Sequence, residues 1–287
     1  MKLPRPIYNA YSLLKDVFHD YSEDNGSMVA AAISFYLFLS FIPLILLAIA
    51  AFGFVLRSPE QAQEFVLSFT RDYPGISESG DINIMNVIRE VISGRGSATL
   101  IGTLLLLWTG TSVIANMEQA INVAWDADQP RGYIKRRLVG LGLLILIGLL
   151  LSVSVGATAL LRTLQQVSVF GVQPGEWPVI WDVLGYLVPL GITIIAFTLI
   201  YKILPNTFVR WRIAFAGGVF AGLLWEAAKI AFSFYLSHFA NYSAVYGSIA
   251  AVILFLVWIY YSSIIIVIGA EFTSVWNRRH PGRDRQE

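Results

Sequence analysis

Long uninterrupted apolar stretches constrain this chain more than any other feature of its sequence. Five stretches of 19 or more residues contain no Asp, Glu, Lys, Arg or His, and they lie at 29–56, 96–117, 138–161, 183–201 and 239–270. A sixth follows Arg212 and is broken only by Glu226 and Lys229. A membrane-spanning helix needs about 20 mostly apolar residues. Because only 14% of the residues are charged, against about 25% in soluble domains, the sequence predicts an integral membrane protein.

The predicted fold class is all-α, a polytopic membrane protein with six transmembrane helices at about 29–56, 98–118, 138–161, 180–203, 212–236 and 246–272. Cytoplasmic loops of such proteins carry an excess of Lys and Arg. The N-terminal segment, the second and fourth connections and the C-terminal tail hold 14 basic residues, whereas the opposite connections hold five. Both termini are therefore predicted to face the cytoplasm.

Two polar parts of the chain are also predicted to be helical. Within residues 7–21, Tyr11, Leu14 and Phe18 share one face, which is typical of an amphipathic helix lying in the membrane interface. The first outer loop, 57–97, carries two apolar stripes at helical spacing, which indicate a helical hairpin. The predicted organisation is a cytoplasmic N-terminal segment 1–28, a six-helix membrane domain 29–276 and a basic cytoplasmic tail 277–287.

Glu226 and Lys229 are the most deeply placed charges of any predicted span. Glu226 follows Arg212 by 14 residues, about 21 Å along a helix and thus near the middle of the bilayer. Lys229 lies one turn further on and can pair with Glu226. A charge at the bilayer centre costs about 2.5–3.5 kcal/mol, so both groups should face protein or water. Two interpretations stay open: an internal ion pair that holds the fifth span in the bundle, or a polar point of a transport path.

Three further polar residues near the cytoplasmic ends of predicted spans are candidates for a transport path. Glu118 and Asn122 belong to the second span and Glu271 to the sixth. We expect the carboxyl groups of Glu118 and Glu271 to reach interfacial water. Deeper in the second span, residues 108–112 form a polar interruption, and hydroxyl groups that bond back to helix carbonyls would satisfy it.

Small residues and one proline mark predicted packing positions. Gly148 and Gly156 share a face of the third span, and Gly218 and Gly222 share a face of the fifth. Small residues at such spacing allow helices to approach closely in a membrane. Pro43 frees a backbone carbonyl in the first span, which predicts a kink.

Four long motifs occur in order along the chain. They are AAAISFYLFLSFIPLILL in the first span, the run from Trp108 through Asn122 to Trp125 in the second, LPNTFVRWRIAFAGGVFAGLLWEAAK at the fifth, and YSAVYGSIAAVILFLVWIYYSSIIIVIGAEF near the C-terminus. Together they resemble the YihY/BrkB family of bacterial inner-membrane proteins, once mislabelled ribonuclease BN, over about residues 10–277. The resemblance implies a six-helix protein of the bacterial inner membrane, with proposed roles in envelope integrity and in lipid or solute transport.

The resemblance also implies a set of recurrent positions, none of which has an established catalytic role. In this sequence they are Pro43, Asn122, Trp125, Pro205, Asn206, Glu226, Tyr246, Gly247, Trp258, Gly269 and Glu271.

The old nuclease label can be tested against the residues. Metal-assisted phosphodiester cleavage needs His and carboxylate ligands within reach of one another. The topology separates His238 from His19 and His280, and the sequence contains no Walker loop, H-E-x-x-H or G-x-S-x-G motif. Topology also accounts for the basic connections. We therefore predict a protein that is not an enzyme and has no cofactor, no metal site and no nucleic-acid partner.

Three functions are compatible with the sequence. The leading hypothesis is a conduit, not driven by ATP, that moves a lipid or similar amphipath for envelope biogenesis, with membrane lipids as partners. One alternative is an ion- or proton-coupled secondary transporter of a small solute, with Glu226, Glu118 or Glu271 as the protonatable group. The other is a non-transporting scaffold that binds an envelope protein through the outer loop 57–97.

Overall fold

The chain folds into α-helices throughout the residues that the structure describes. In this computed structural model those residues are 5–56, 97–127, 131–166, 178–239 and 249–280. The helices of these ranges are α1 Arg5–Glu23, α2 Gly26–Leu56, α3 Ser97–Ala124, α4 Tyr133–Gln166, α5 Pro178–Ile203, α6 Trp211–Phe239 and α7 Ile249–Arg279.

Helices α2 to α7 overlap the six predicted spans and are 26 to 34 residues long. Among the described residues, the segments Val183–Ile203, Trp211–Leu236 and Val252–Arg279 are long and apolar enough to cross a membrane. Helix α2 continues through Pro43. The hairpin predicted in the outer loop lies outside the described residues, except for its last position. The all-helical class is confirmed, while six spans and their orientation stay predictions.

Helix α7 lies at the centre of the described bundle. It packs against α1, α2, α3, α5 and α6, whereas α4 packs between α3 and α5. Ile266 and Ala270 of α7 share one buried core with Ile33 of α2, Ile121 of α3 and Tyr201 of α5. This arrangement brings the ends of five helices together around the last turns of α7.

Helices α5, α6 and α7 approach one another through glycines. A Cβ atom on Gly218 would lie 2.8 Å from the carbonyl oxygen of Ile194, and one on Gly269 would lie 2.7 Å from Cζ of Tyr201. The Tyr201 hydroxyl donates a hydrogen bond to the carbonyl of Ile266. Since lipid is as apolar as a protein core, such close packing is a main source of helix association in a membrane. Gly222 also faces Ile194, so the predicted close approach of α6 is present.

The glycines of α4 differ from this pattern. Gly148 and Gly156 are not enclosed by other helices, and an added Cβ on either would meet no atom of the described residues within 4 Å. Ser152, between them, bonds back to the carbonyl of Gly148. No described residue approaches Gly148 or Gly156, so the close helix approach predicted at these two positions stays a prediction.

Helix α1 packs against the end of α7. Leu13 and Val17 are buried against Phe272 and Val275. Asp16 and Asp20 of α1 form ion pairs with the last two residues of α7, Arg279 and Arg278 respectively. The predicted apolar face, with Tyr11, Leu14 and Phe18, stays exposed on the other side of α1.

We expect Gly218→Ala to destabilise the protein by about 1–3 kcal/mol, because an added methyl group overpacks the contact with the α5 backbone. The matched control is Gly148→Ala, which adds the same group where no described atom is in reach. Thermal unfolding of the purified protein in detergent measures both changes. Equal unfolding temperatures for the two variants would contradict the close packing of α5 and α6.

Candidate functional site

Several buried polar groups, among them Glu118, Glu271 and Thr273, lie at or beside one end of the bundle, which we call the base. The base comprises the turn 24–25, residues 125–127 and 131–132 between α3 and α4, the connection 204–210, and the last turns of α7. Arg131 links the two connections by donating to the carbonyl of Leu204. Arg210 links the second connection to α7 by donating to Asn277 and to the carbonyl of His280.

Glu118 is the buried charge around which α3, α4 and α5 meet. Its side chain is fully buried. Its Oε1 atom lies 3.6 Å from Nη1 of Arg131, and its Oε2 atom lies 3.7 Å from Nε of Arg136. The expectation that Glu118 reaches interfacial water is wrong, because Arg131 and Arg136 close over it. A buried carboxylate of this kind requires its counter-charges.

Arg131 also satisfies the end of α5. Its guanidinium donates three hydrogen bonds, to the carbonyls of Ile203, Leu204 and Pro205, at 3.0 to 3.1 Å. The last carbonyls of a helix have no partner inside the helix. One side chain therefore neutralises Glu118 and caps the neighbouring helix.

The other polar side chains of α3 extend the same network. Asn122 accepts a hydrogen bond from the backbone N–H of Asn206 at 2.7 Å, and the Trp125 indole N–H donates to Thr273 of α7 at 3.2 Å. Glu118, Asn122 and Trp125 are spaced by four and three residues, so they share one face of α3. Asn122 thus orders the connection after α5.

The polar interruption of α3 has a partner that the sequence did not reveal. The hydroxyls of Thr111 and Ser112 bond back to the carbonyl of Trp108, as predicted. The guanidinium of Arg137, on α4, donates to this carbonyl and to both hydroxyls, at 2.7 to 3.1 Å. Arg137 also stacks over the rings of Trp108 and Tyr133.

Glu271 forms a second buried acidic point, beside the turn between α1 and α2. It is 1% exposed, and neither carboxyl oxygen meets a protein N–H or hydroxyl donor among the described residues. Asp24 lies within hydrogen-bonding reach of it. The expectation that Glu271 reaches interfacial water is also wrong, because α1 and the turn after it cover the carboxyl group. Two carboxyl groups in contact favour a state in which one of them keeps its proton.

The pKa of Asp24 is raised above its usual range. Burial is the largest cause, and the negative charges of Asp126, Asp20 and Glu23 add to it, whereas the hydrogen bond with Glu271 acts the other way. Because that hydrogen bond favours the ionised form of Asp24, the Asp24 carboxylate accepts it, and the Glu271 carboxyl group holds the proton and donates.

Glu226 and Lys229 form the ion pair that their spacing indicates. The Lys229 ammonium lies 2.7 Å from Oε1 of Glu226, whose side chain is 9% exposed. The side chain of Lys229 is 43% exposed to the surroundings of the bundle. The pair is therefore buried on its acidic side and open on its basic side, and it lies apart from the base, some 14 residues along α6 from Arg212.

An open groove runs between α5 and α6 near the base. It has a volume of about 420 Å³ and is lined by Ile195, Thr198, Leu199, Trp211, Arg212 and Phe215. We call it the α5–α6 groove. Sequence reasoning did not find it, because its walls come from two helices and are ordinary apolar residues.

Comparison with known proteins identifies the family. Residues 17–287 match the family described as virulence factor BrkB. The chain belongs to this family. A UPF0761 membrane protein of Paraburkholderia xenovorans is 34% identical over 88% of this chain and 57% of its own length. Another, of Nitrosospira multiformis, is 30% identical over 94% of this chain and 61% of its own length.

A shorter relative carries a different name. A putative ribonuclease-like protein of Bacillus subtilis, YfkH, is 26% identical over 93% of this chain and 96% of its own length. The chain therefore spans nearly all of YfkH but only about six-tenths of the UPF0761 proteins. No solved structure is similar to the chain. The resemblance seen in the four motifs is confirmed, and this BrkB-family chain is a membrane protein.

The described part of the chain contains no metal centre that would support a ribonuclease-like activity. There, no three His, Cys, Asp or Glu side chains come together in a way that could hold a metal ion. The acidic groups of the base are instead engaged with arginines or with each other. The UPF0761 family has no known catalytic role.

We expect Glu118→Gln to destabilise the protein by about 3–5 kcal/mol, because it leaves two buried guanidinium groups without their shared counter-charge. Asp126→Asn is the matched control, since it removes an 86% exposed carboxylate that lies 4.0 Å from Arg278. Exposed pairs of this kind contribute about 0–1 kcal/mol. Thermal unfolding in detergent separates the two. A Glu118→Gln protein as stable as the control would show that the buried charge does not stabilise the fold.

The pH dependence of stability should carry the signature of Asp24. The folded state holds the proton of Asp24 more tightly than the unfolded state, so the stabilisation is complete below the ordinary carboxyl pKa of about 4. It is lost as the pH rises through the raised pKa. Asp24→Asn removes the titrating carboxyl group and should flatten this decline, whereas Glu23→Gln, which removes the weakest of the charge effects on Asp24, should change it much less. Unfolding temperatures across a pH series measure it, and identical profiles for Asp24→Asn and the unmodified protein would refute the assignment.

Proposed function

We propose that this BrkB-family protein is a conduit, not driven by ATP, for a lipid or another amphipath in the bacterial inner membrane, where it serves envelope biogenesis. In this proposal α2 to α7 are the six membrane spans and the base faces the cytoplasm. The observation that carries the proposal is the Glu226–Lys229 pair, because its basic side is exposed within an apolar span.

The position of the pair on α6 supports a lateral path. Phe215 and Lys229 are both exposed and lie 14 residues apart, so they share one strip of α6, beside the buried residues Gly222 and Glu226. Phe215 also lines the α5–α6 groove, which opens sideways near the base. A head group moving along this strip would meet Lys229, while its acyl chains stay in the surrounding hydrocarbon.

A purely structural ion pair predicts a different geometry. Its two charges would both be enclosed, because a charge in hydrocarbon is costly unless it faces protein or water. Here Glu226 is enclosed and Lys229 is not. Lys229 is thus positioned to contact an anionic group from outside the bundle while it keeps its pairing with the Glu226 carboxylate.

The energetics of such a conduit need no nucleotide. The sequence contains no Walker loop, and a lipid that moves down its own gradient needs only a lowered barrier for its polar head. Directional movement would come from a partner or from removal of lipid on one side. The outer loop 57–97 stays the predicted surface for an envelope partner.

The test is lipid movement in liposomes that contain the purified protein and a head-group-labelled fluorescent phospholipid. Dithionite bleaches the labelled lipid in the outer leaflet. Labelled lipid of the inner leaflet is bleached only after it has moved to the outer leaflet. We expect faster bleaching than in protein-free liposomes and loss of this gain in the Glu226→Gln, Lys229→Met double variant, with thermal stability near that of the unmodified protein. Each single variant should be less stable, because it leaves one charge unpaired.

Two results would count against the conduit. Bleaching no faster than in protein-free liposomes would refute the conduit. A stable double variant with full lipid movement would reduce the pair to a structural role. The open face of α4 offers a control, Ser152→Ala, which removes a hydroxyl that bonds back to its own helix and should leave movement unchanged.

One observation favours a second candidate, a proton-coupled secondary transporter. The buried contact between Asp24 and Glu271 is a proton-holding arrangement of the kind found in intramembrane relays. Proton coupling predicts that an imposed pH gradient drives flux, and that Glu271→Gln abolishes this dependence while leaving gradient-free lipid movement intact. Flux that ignores the gradient would leave the first candidate alone.

A further inference from the structure

The α5–α6 groove combines an apolar trough with an unneutralised cationic mouth. Residues 195, 198 and 199 of α5 line one side of the groove. Residues 211, 212 and 215, in the first turns of α6, line the other. Ile195 and Phe215 are both about half exposed, so no described part of the chain covers the rim. Whatever fills the trough must come from outside these residues.

The trough has no polar group of its own to offer a ligand. The Thr198 hydroxyl, on its wall, donates to the carbonyl of Ile194 at 2.7 Å and is satisfied. The remaining walls are apolar side chains, apart from Arg212. An apolar trough with a single charged residue at one end matches a ligand that is apolar along its length and charged at its head.

The mouth of the groove is positively charged. Arg212 is exposed and forms no ion pair within the described ranges of the chain. The Lys202 ammonium stands 5.3 Å from the Trp211 ring and 4.8 Å from the Phe208 ring, and it donates to the carbonyl of Val209. The first turn of α6 contains no acidic residue, so the positive end of the helix dipole is not neutralised either.

Arg210, which lies between them in the sequence, differs from Lys202 and Arg212. Arg210 is committed to the side chain of Asn277 and the carbonyl of His280. Arg212 is therefore the cation at this corner that has no ion-pair partner among the described residues, and Lys202, which donates one of its three N–H groups to Val209, has donors left for a ligand. Aromatic rings beside them, Phe208 and Trp211, are exposed as rings at a membrane interface commonly are.

We propose that the α5–α6 groove binds an anionic glycerophospholipid, with one acyl chain in the trough and the phosphate at Arg212 and Lys202. The inference rests on the proposed function, in that it places the groove in a membrane, and it names the lipid class that the conduit would admit at its cytoplasmic entrance. A guanidinium binds phosphate oxygens in a bidentate manner, and the nearby ammonium adds a second charge.

The dimensions favour a lipid over a protein segment. The groove volume, about 420 Å³, equals about one turn of a helix 10 Å in diameter, which is too little to seat a partner helix. A zwitterionic lipid would also place an ammonium group beside two cations, with no carboxylate in the lining to receive it. An anionic head group avoids that repulsion.

The experiment is native mass spectrometry of the full chain in neutral detergent, titrated with phosphatidylglycerol and, separately, with phosphatidylcholine of the same acyl chains. We expect the unmodified protein to prefer phosphatidylglycerol. Arg212→Gln should weaken phosphatidylglycerol binding about fivefold, as expected for one cation at an anionic membrane surface, and Arg212→Lys should retain most of the preference. Ile195→Trp, which fills the trough from an exposed position, should weaken both lipids.

The matched control is Lys135→Gln, which removes an exposed cation from the start of α4. It should leave the preference unchanged. Loss of preference in Lys135→Gln equal to that in Arg212→Gln would show diffuse surface charge and overturn the proposal. Unchanged binding in Arg212→Gln, or in Ile195→Trp, would overturn it as well, provided that the unfolding temperature shows a folded protein. If either variant fails to fold, Arg212→Ala and Leu199→Trp carry the same test.

Binding at the groove and lipid movement are separable. The titration is made at equilibrium without leaflets, so binding at the groove can be present in a protein that moves no lipid. Conversely, lipid movement that depends on Lys229 but not on Arg212 would leave the conduit standing and remove the groove as its entrance.

Discussion

The ion cluster of Glu118, Arg131 and Arg136 is the interaction on which the base depends. Removing a carboxylate from water costs several kcal/mol, and the cost is recovered only where opposite charges approach from well-defined directions. Arg131 can approach only if the chain after α3 turns back sharply. Asp126, with a φ of 48°, begins that turn, and the N–H of Ala127 reaches back to the carbonyl of Asn122. The buried charge thus constrains the path of the chain from α3 to α4.

The same cluster sets the position of α5 and of the connection after it. Arg131 binds the three carbonyls at the end of α5, and Asn122 receives the N–H of Asn206 in the next connection. With that end held, α6 starts at a fixed distance from α5, and the glycines of α6 settle against Ile194 and Thr198. The α5–α6 groove lies between this polar anchor and this glycine contact.

The helices could be predicted well from the sequence and the base poorly, for a physical reason. A helix surrounded by lipid needs a long apolar stretch, so α2 to α7 could be placed from composition alone. The pairing of Glu226 with Lys229 is local to one helix and was equally readable. The partners of Glu118 and of residues 108–112 are arginines that positive-inside counting assigned to topology. Nothing in a single sequence says that a basic loop folds back into the bundle.

The glycines also include positions whose contacts could be predicted from the sequence and positions whose contacts could not. Spacing by four shows that small residues share a face, but it does not show which neighbour that face meets. Gly218 and Gly222 meet α5, while Gly148 and Gly156 meet none of the described residues. Glu271 is a comparable case, because its burial comes from α1 and the turn after it, more than 240 positions earlier in the chain. Contacts of that range are decided by tertiary packing.

The ion pairs between α1 and the last turn of α7 have a consequence for the order in which the protein is made. Asp16 and Asp20 emerge from the ribosome before Arg278 and Arg279 do. Until then α1 has no docking partner for Leu13 and Val17. Helix α1 can therefore dock in this way only after α7 has been made, so the contact between α1 and α7 cannot form before the helices between them have been synthesised.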